Sequence, residues 1–192
     1  TITTGDGAKG VLVYGAQLEE NSYSTSYIKT IGTTQTRVAD TATGSGNSTV
    51  INSTEGVLYA EISALANDGS FRQLTISDGS GSNRVSIDFT STDNQIRSFS
   101  SSGGGAVANM TGSVSNATQF NKVAVKYKLN DYALWINGVE VATDTSGNAP
   151  IGLSELAFDN GTSSNNFYGK TKSVQVYTTA LSDAELTSLT TI

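Results

Sequence analysis

The chain has 192 residues, a formal net charge of −6, and neither histidine nor cysteine. These absences exclude disulfides, Ser-His-Asp chemistry, thiolate nucleophiles and imidazole or thiolate metal sites. An acidic chain without a basic stripe is a poor binder of nucleic acid, and no apolar run approaches the about 20 residues that span a bilayer. The length allows one domain of roughly 150–200 residues. Residue 1 is Thr and no signal peptide is evident, so we expect a piece of a longer protein that contains other domains.

The first 54 residues differ in character from the rest. Residues 10–20 include a dense apolar stretch that could form a strand, and residues 21–54 are mostly Ser, Thr, Gly and Asn. This composition predicts a long loop with one or two short strands, for example at 37–39. We therefore expect an N-terminal strand and junction loops over 1–54, packed on a domain that covers 55–192.

From residue 55 onward, apolar and polar residues alternate in short runs that turn residues separate. The 26 serines and 26 threonines are also typical of β-sheet. The runs that predict strands are VLYAEISAL, FRQLTIS, NRVSIDF, QIRSFS, KVAVKYKL, YALWI, VEVATD, LSELAFD and SVQVY. Asn137-Gly138 lies between two of them, in the preferred two-residue hairpin turn. Strands at this spacing indicate an antiparallel sandwich or barrel.

One helix is predicted, near the C-terminus. Ser182 and Glu185 have the spacing of a capping box, and Leu181, Leu186 and Leu189 give the segment an apolar side. We expect this helix to be short.

These patterns together resemble the laminin-G-like branch of the concanavalin A-like lectin/glucanase superfamily. The stretches that carry the resemblance are LYAEIS, RQLTISDG, NRVSIDF, KVAVKYKLNDYALWINGVEV, ELAFDNG and KTKSVQVYTTALSDAEL, between about residues 55 and 189. The last of these is similar to the closing strand and short helix of many such domains. The segment VYGAQLEENSYSTSYIKTIGTTQTRVAD resembles a junction of phage and marine bacterial modular proteins.

The resemblance implies an all-β fold, an antiparallel two-sheet jelly-roll sandwich with one short C-terminal helix. It further implies that glycans bind on a sheet face or at the loop rim. The superfamily includes lectins, glucanases, lyases and structural modules, so the fold alone does not assign an activity. We expect an extracellular or virion-associated domain that binds polysaccharide.

Alternation also predicts which polar side chains share a face. If Leu74 and Val85 point into the core, then Gln73, Arg84 and Asp88 share the opposite face. Lys126 joins them if its strand lies in the same sheet. Such a set could hydrogen-bond a polysaccharide, and Arg or Lys could pair with uronate carboxylates. The alternative is an ordinary solvated sheet face.

Trp135, the only tryptophan, is a further binding candidate. Sugar rings stack on exposed aromatic side chains, so this residue could form a sugar platform. Alternatively, it packs in a core, because most tryptophans are substantially buried. The sequence leaves both interpretations open.

Catalysis remains open as well. The carboxylate motif of retaining glucanases is absent, which argues against a glycoside hydrolase. Tyrosine together with Arg, Lys or Gln can perform β-elimination without metal, so a metal-independent lyase acting on an anionic glycan such as alginate is the alternative to binding. A purely structural module is a third possibility. No cofactor is required, although Asp78 and the pairs Asn67-Asp68 and Asp159-Asn160 could contribute to a structural calcium site.

Overall fold

The computed structural model describes residues 15–18, 26–35 and 45–192. The chain divides into two compact units, Thr1–Asp40 and Thr41–Ile192. In the first unit, the backbone N–H of Ile28 donates to Gln17 Oε1 at 2.7 Å. The strand suggested over 10–20 lies largely outside the described residues, and its described part, 15–18, is not a strand. The short strand suggested at 37–39 also lies outside them.

Within 45–192, ten strands and one helix are present. The strands are β1 (Glu55–Ala64), β2 (Arg72–Ser77), β3 (Arg84–Phe89), β4 (Gln95–Ser102), β5 (Gly105–Ser113), β6 (Asn121–Lys128), β7 (Tyr132–Ile136), β8 (Val139–Asp144), β9 (Glu155–Ala157) and β10 (Gly169–Tyr177). The helix is α1 (Asp183–Thr190). The strands form two five-stranded antiparallel sheets, the first in the order β10-β1-β6-β7-β8 and the second in the order β5-β4-β3-β2-β9. The predicted all-β jelly-roll sandwich with a short C-terminal helix is confirmed.

The main core fills the space between the two sheets. Alternate residues of β1 and β6 point into it, and Leu58, Ile62 and Val125 are fully buried there. Leu74 and Ile87 of the second sheet meet them from the other side. The inward residues are those that the alternation of the sequence predicts. Residues 45–54 precede β1 and also contribute to the core, through Ile51.

The helix α1 packs on the outward side of the first sheet. Leu186 is fully buried in a second apolar cluster that includes Tyr59 and Trp135. The backbone N–H of Ser182 donates to the Glu185 carboxylate at 2.8 Å, as the predicted capping box requires. At the other end of the helix, Thr190 Oγ1 accepts the N–H of Gly138 at 3.1 Å. The helix therefore covers part of the outward face of the first sheet, over β6, β7 and β8. In the described ranges, no helix is long and apolar enough to cross a membrane.

The hairpin between β7 and β8 turns at Asn137-Gly138, as predicted. Both residues have positive φ, 51° and 85°, which a type I′ turn requires. The strand β5 was not among the predicted strands. Its sequence, GAVANMTGS, is rich in small residues, and the strand forms by pairing with β4 along its whole length.

Candidate functional site

The outward side of β2, β3 and β4 carries a grid of polar side chains, which we call the arginine face. The strand register arranges nine residues in three rows: Gln73, Asp88 and Arg97; Thr75, Ser86 and Phe99; Ser77, Arg84 and Ser101. The helix of the described residues, α1, packs on β6, β7 and β8 of the first sheet and not on this face. The predicted trio of Gln73, Arg84 and Asp88 thus lies on one face.

At the centre of the arginine face, Asp88 pairs with Arg97. The Nε and NH2 groups of Arg97 donate to Asp88 Oδ2 at 2.8 and 2.7 Å. The Asp88 side chain is fully buried, whereas that of Arg97 is 22% exposed. Burial raises the pKa of the Asp88 carboxyl, and the Arg97 charge opposes that rise. Asp88 Oδ1 accepts no hydrogen bond from the part of the chain that is described.

An aromatic ring joins the two arginines of the face. The guanidinium carbon of Arg84 lies 5.0 Å from the ring centroid of Phe99, and that of Arg97 lies 5.4 Å from it. The register places the two arginines in the rows on either side of Phe99. Arg97 is also 5.2 Å from the ring of Phe71, a residue that is 36% exposed. Cations and rings therefore alternate across the face, an arrangement stabilised by cation–π attraction.

Residues 158–168, which connect β9 to β10, border the arginine face on one side. The carbonyl of Asn160 accepts a hydrogen bond from Arg84 NH1 at 2.9 Å. The carbonyl of Asn165 accepts one from the Gln73 backbone N–H at 3.0 Å, and the Asn165 amide donates to Gln73 Oε1 at 3.2 Å. This connection therefore holds two of the predicted site residues in place and adds its own exposed polar side chains to the border.

The floor of the arginine face is polar and nonetheless buried. Thr75, Ser86 and Asp88 are all 0% exposed, and Gln73 is only 2% exposed. The arginines and Phe99 are partly exposed. A ligand on this face therefore meets guanidinium groups and rings first. Hydrogen-bond donors beside aromatic surface are the groups that recognise sugar hydroxyls and ring faces.

The other two predicted site residues, Lys126 and Trp135, lie in the first sheet. Trp135 is 6% exposed and packs in the cluster beneath α1. Lys126 pairs with Asp131 at 2.7 Å and approaches Asp183 of α1 at 3.9 Å. The structure therefore does not bring these two residues together with Gln73, Arg84 and Asp88. The binding roles of all five stay predictions.

Alternation in the sequence did not predict that Arg97 and Phe99 lie on the arginine face. In β4, QIRSFSSS, the apolar residues Ile96 and Phe99 fall on opposite faces, so the pattern does not say which face is inward. The register of the hairpin between β3 and β4 would have predicted the face of Arg97, because it pairs Arg97 with Asp88. Arg72 of β2 is not part of the arginine face: it is 3% exposed and pairs with Asp68 at 2.8 Å.

The acidic residues considered for calcium take part in local contacts. Asp78 Oδ1 accepts hydrogen bonds from the N–H and hydroxyl of Ser80 at 2.9 and 2.7 Å. Asp159 Oδ1 accepts one from the N–H of Gly161. Burial raises the pKa of Asp78, but hydrogen bonds from Asn83 and Ser80 outweigh it and lower that pKa overall. The described residues contain no group of three or more acidic side chains that could hold a metal ion, and a calcium site stays a prediction.

Known structures share this fold. The CBM40 domain of Ruminococcus gnavus IT-sialidase bound to α2,3-sialyllactose superposes with a TM-score of 0.63 at 21% identity, covering 80% of this chain and 95% of that one. Domain 4 of an extracellular GH43 arabinanase from Geobacillus stearothermophilus, in complex with arabinotriose, gives 0.57 at 15% identity, with 73% and 68% coverage. A leech intramolecular trans-sialidase gives 0.59 at 20% identity, and the match covers 73% of this chain but only 24% of that enzyme. Identities this low establish the fold and not the ligand.

No curated protein sequence is significantly similar to the chain. The family profile described as the concanavalin A-like lectin/glucanases superfamily matches residues 40–187, which is most of the sequence. The match extends through all ten strands and into the C-terminal helix. The chain belongs to the concanavalin A-like lectin/glucanase superfamily.

Proposed function

We propose that this domain binds polysaccharide on the arginine face. The observation that carries the proposal is the contact of two arginines, Arg84 and Arg97, with one partly exposed ring, Phe99, on a face that no helix of the described residues covers. Two proteins with the same fold are bound to oligosaccharides, α2,3-sialyllactose and arabinotriose. The outward side of the first sheet is a poorer candidate, since α1 covers its aromatic residues.

The proposed setting is outside the cell. An extracellular enzyme carries a domain of similar fold, which supports an extracellular location for this one. Resemblance of the N-terminal junction to phage and marine bacterial modular proteins supports a virion-associated or microbial surface protein. Within such a parent chain, the domain would bind glycan while other domains perform other tasks.

The alternative function is a metal-independent lyase. Its chemistry needs a tyrosine hydroxyl close to the cation that neutralises the uronate, but the sequences of β2 to β5 contain no tyrosine. Tyr168 is 49% exposed in the bordering connection, and its hydroxyl accepts a hydrogen bond from the Asn166 amide at 3.5 Å. Tyr127 and Tyr132 lie in the core, where each donates to a backbone carbonyl at 2.7 Å. Burial raises the pKa of Tyr132 to about 12, which makes it a poor base at neutral pH. Binding is therefore the function that the geometry supports better.

The experiment is affinity electrophoresis of the purified chain through gels that contain single polysaccharides, both acidic and neutral. We expect retardation by at least one of them. Phe71→Ala removes an exposed ring next to Arg97 and should weaken that retardation by about tenfold. Leu129→Ala is the matched control, because it truncates an exposed apolar side chain after β6, in the first sheet.

Two results would contradict the proposal. If no polysaccharide retards the chain, the domain is better explained as a structural module. If incubation with uronate polymers produces the ultraviolet absorbance of unsaturated uronates, the domain is a lyase.

Trp135 fluorescence gives an independent check: we expect bound glycan to leave it unchanged, because Trp135 lies beneath α1 in the other sheet.

A further inference from the structure

Arg84 differs from the other cations of its sheet in its partners. Arg97 pairs with Asp88 at 2.7 Å, and Arg72 pairs with Asp68 at 2.8 Å. Among the residues that the structure describes, no carboxylate lies within ion-pair distance of Arg84. Within that described part of the chain, no direct contact with a carboxylate neutralises the positive charge of Arg84.

The guanidinium of Arg84 is nevertheless held in a fixed position. NH1 donates to the Asn160 carbonyl at 2.9 Å, and the group lies against the Phe99 ring. Its Nε is buried and has no hydrogen-bond partner in the described part of the chain. A guanidinium held in this way loses little conformational entropy when it binds an anion, because its orientation is already set.

The strand register places Asp88 and Glu155 on the same sheet face as Arg84, at a greater distance. Asp88 lies on the same strand but directs Oδ2 to Arg97. Glu155 of β9 shares a row with Ser77 and Arg84, which places it two strands away. Strands lie about 4.8 Å apart, so this separation is about 10 Å, where salt already screens much of the interaction between exposed charges. Neither carboxylate replaces a direct partner.

We infer that the polysaccharide bound on the arginine face is acidic and that Arg84 binds its anionic group, either a carboxylate or a sulfate ester. The inference rests on the proposed function. A guanidinium presents paired N–H donors that match two oxygens of either group, and such charge-assisted bonds are stronger than those between neutral partners. Neutral glycans would leave this charge without a partner, so acidic glycans should bind preferentially.

The test compares each acidic polysaccharide with its neutral form. Polygalacturonate and alginate are paired with their carboxyl-reduced forms, and a sulfated galactan is paired with its desulfated form. We expect retardation by one acidic partner, at least about tenfold weaker binding of its neutral form, and a further loss as salt rises from about 0.05 to 0.5 M. The pair that shows the difference identifies carboxylate or sulfate as the group recognised.

Substitution then locates the contact. We expect Arg84→Gln to weaken binding of the acidic form by about 10- to 100-fold and to leave binding of the neutral form unchanged. Arg84→Lys keeps the charge without the paired donors and should give an intermediate loss. Lys170→Gln removes the same charge from an exposed site on β10 of the first sheet and should have no effect. Thermal unfolding of each variant shows whether the contact with Asn160 was needed for folding.

The outcomes separate this inference from the proposed function. If the wild type binds the acidic and neutral forms equally well and Phe71→Ala weakens both, the inference that the polysaccharide is acidic is wrong. The proposal that the arginine face binds polysaccharide would still hold. If the Arg84→Gln variant binds the acidic polysaccharide as tightly as the wild type does, the proposed role of Arg84 is wrong. Absence of binding to every polysaccharide would overturn the proposed function itself.

Discussion

Replacement of Leu186 by Ala tests how firmly α1 is docked on the first sheet. Leu186 is 0% exposed and shares its cluster with Trp135, Tyr59 and the small residue Ala133. Leu→Ala changes in cores cost about 2–5 kcal/mol, depending on how far the site collapses. An eight-residue helix on the outside of a sheet can settle into the gap, so we expect the lower part of this range, about 2–3 kcal/mol.

Two measurements follow the substitution. A domain of this size shifts its Tm by about 2–4 °C per kcal/mol, so Leu186→Ala should lower the Tm by about 4–12 °C. Trp135 is the only tryptophan, so its emission reports on the cluster that α1 packs against. We expect a shift of this emission to longer wavelength as water reaches the ring.

The control is Ser188→Ala, on the exposed side of the same helix. It should leave Trp135 emission unchanged and alter the free energy of unfolding by no more than about 0.5 kcal/mol. An unchanged Tm together with unchanged emission in Leu186→Ala would refute the packing of α1 on this sheet. It would also reopen Trp135 as a platform for sugar.

Three further changes probe other parts of the domain. Tyr127→Phe removes the hydroxyl that donates to the Asn52 carbonyl at 2.7 Å, and we expect urea unfolding to show a loss of about 1–2 kcal/mol. Gly56→Ala places a methyl group 2.5 Å from the Tyr127 hydroxyl, so it should lower the free energy of unfolding by more than Tyr127→Phe does. Soluble expression of this variant with an unchanged Tm would contradict the packing around Gly56. Burial raises the pKa of Asp88, so its carboxyl binds a proton more tightly in the folded state than in the unfolded chain. As the pH falls from neutral toward the pKa of this carboxyl in the unfolded chain, the wild type should therefore gain stability relative to Asp88→Asn. A stability difference that does not vary with pH would show that Arg97 fully compensates the burial of the charge.

Alternation in the sequence predicts the face of a residue but not the sheet of its strand. Val85 points into the core as expected, and so does Val125, but β6 and β3 belong to different sheets. Sheet membership depends on pairings between distant segments, such as β1 with β6. Lys126 was expected beside Arg84 only if their strands shared a sheet, and β6 and β3 do not. Trp135, a separate candidate, also lies in the first sheet.

Local chemistry predicts the turns and the helix better, because few residues determine them. The Asn137-Gly138 turn needs only two residues that tolerate positive φ, and the start of α1 needs only Ser182 and Glu185. The strand β5 has little local signal, since its pairing with β4 forms only in the folded sheet.

The two outward faces of the sandwich are buried in different ways. This difference predicts which substitutions affect stability and which affect binding. Apolar residues of the first sheet, such as Trp135, are covered by α1. The polar floor of the second sheet, including Thr75 and Asp88, is fully buried, whereas α1 packs on the other sheet. That floor lies beneath the partly exposed layer that holds Arg84 and Phe99. Under the proposed function, a polysaccharide would meet the upper layer first. We therefore expect substitutions of floor residues to alter mainly stability, and substitutions of the layer above to alter mainly binding.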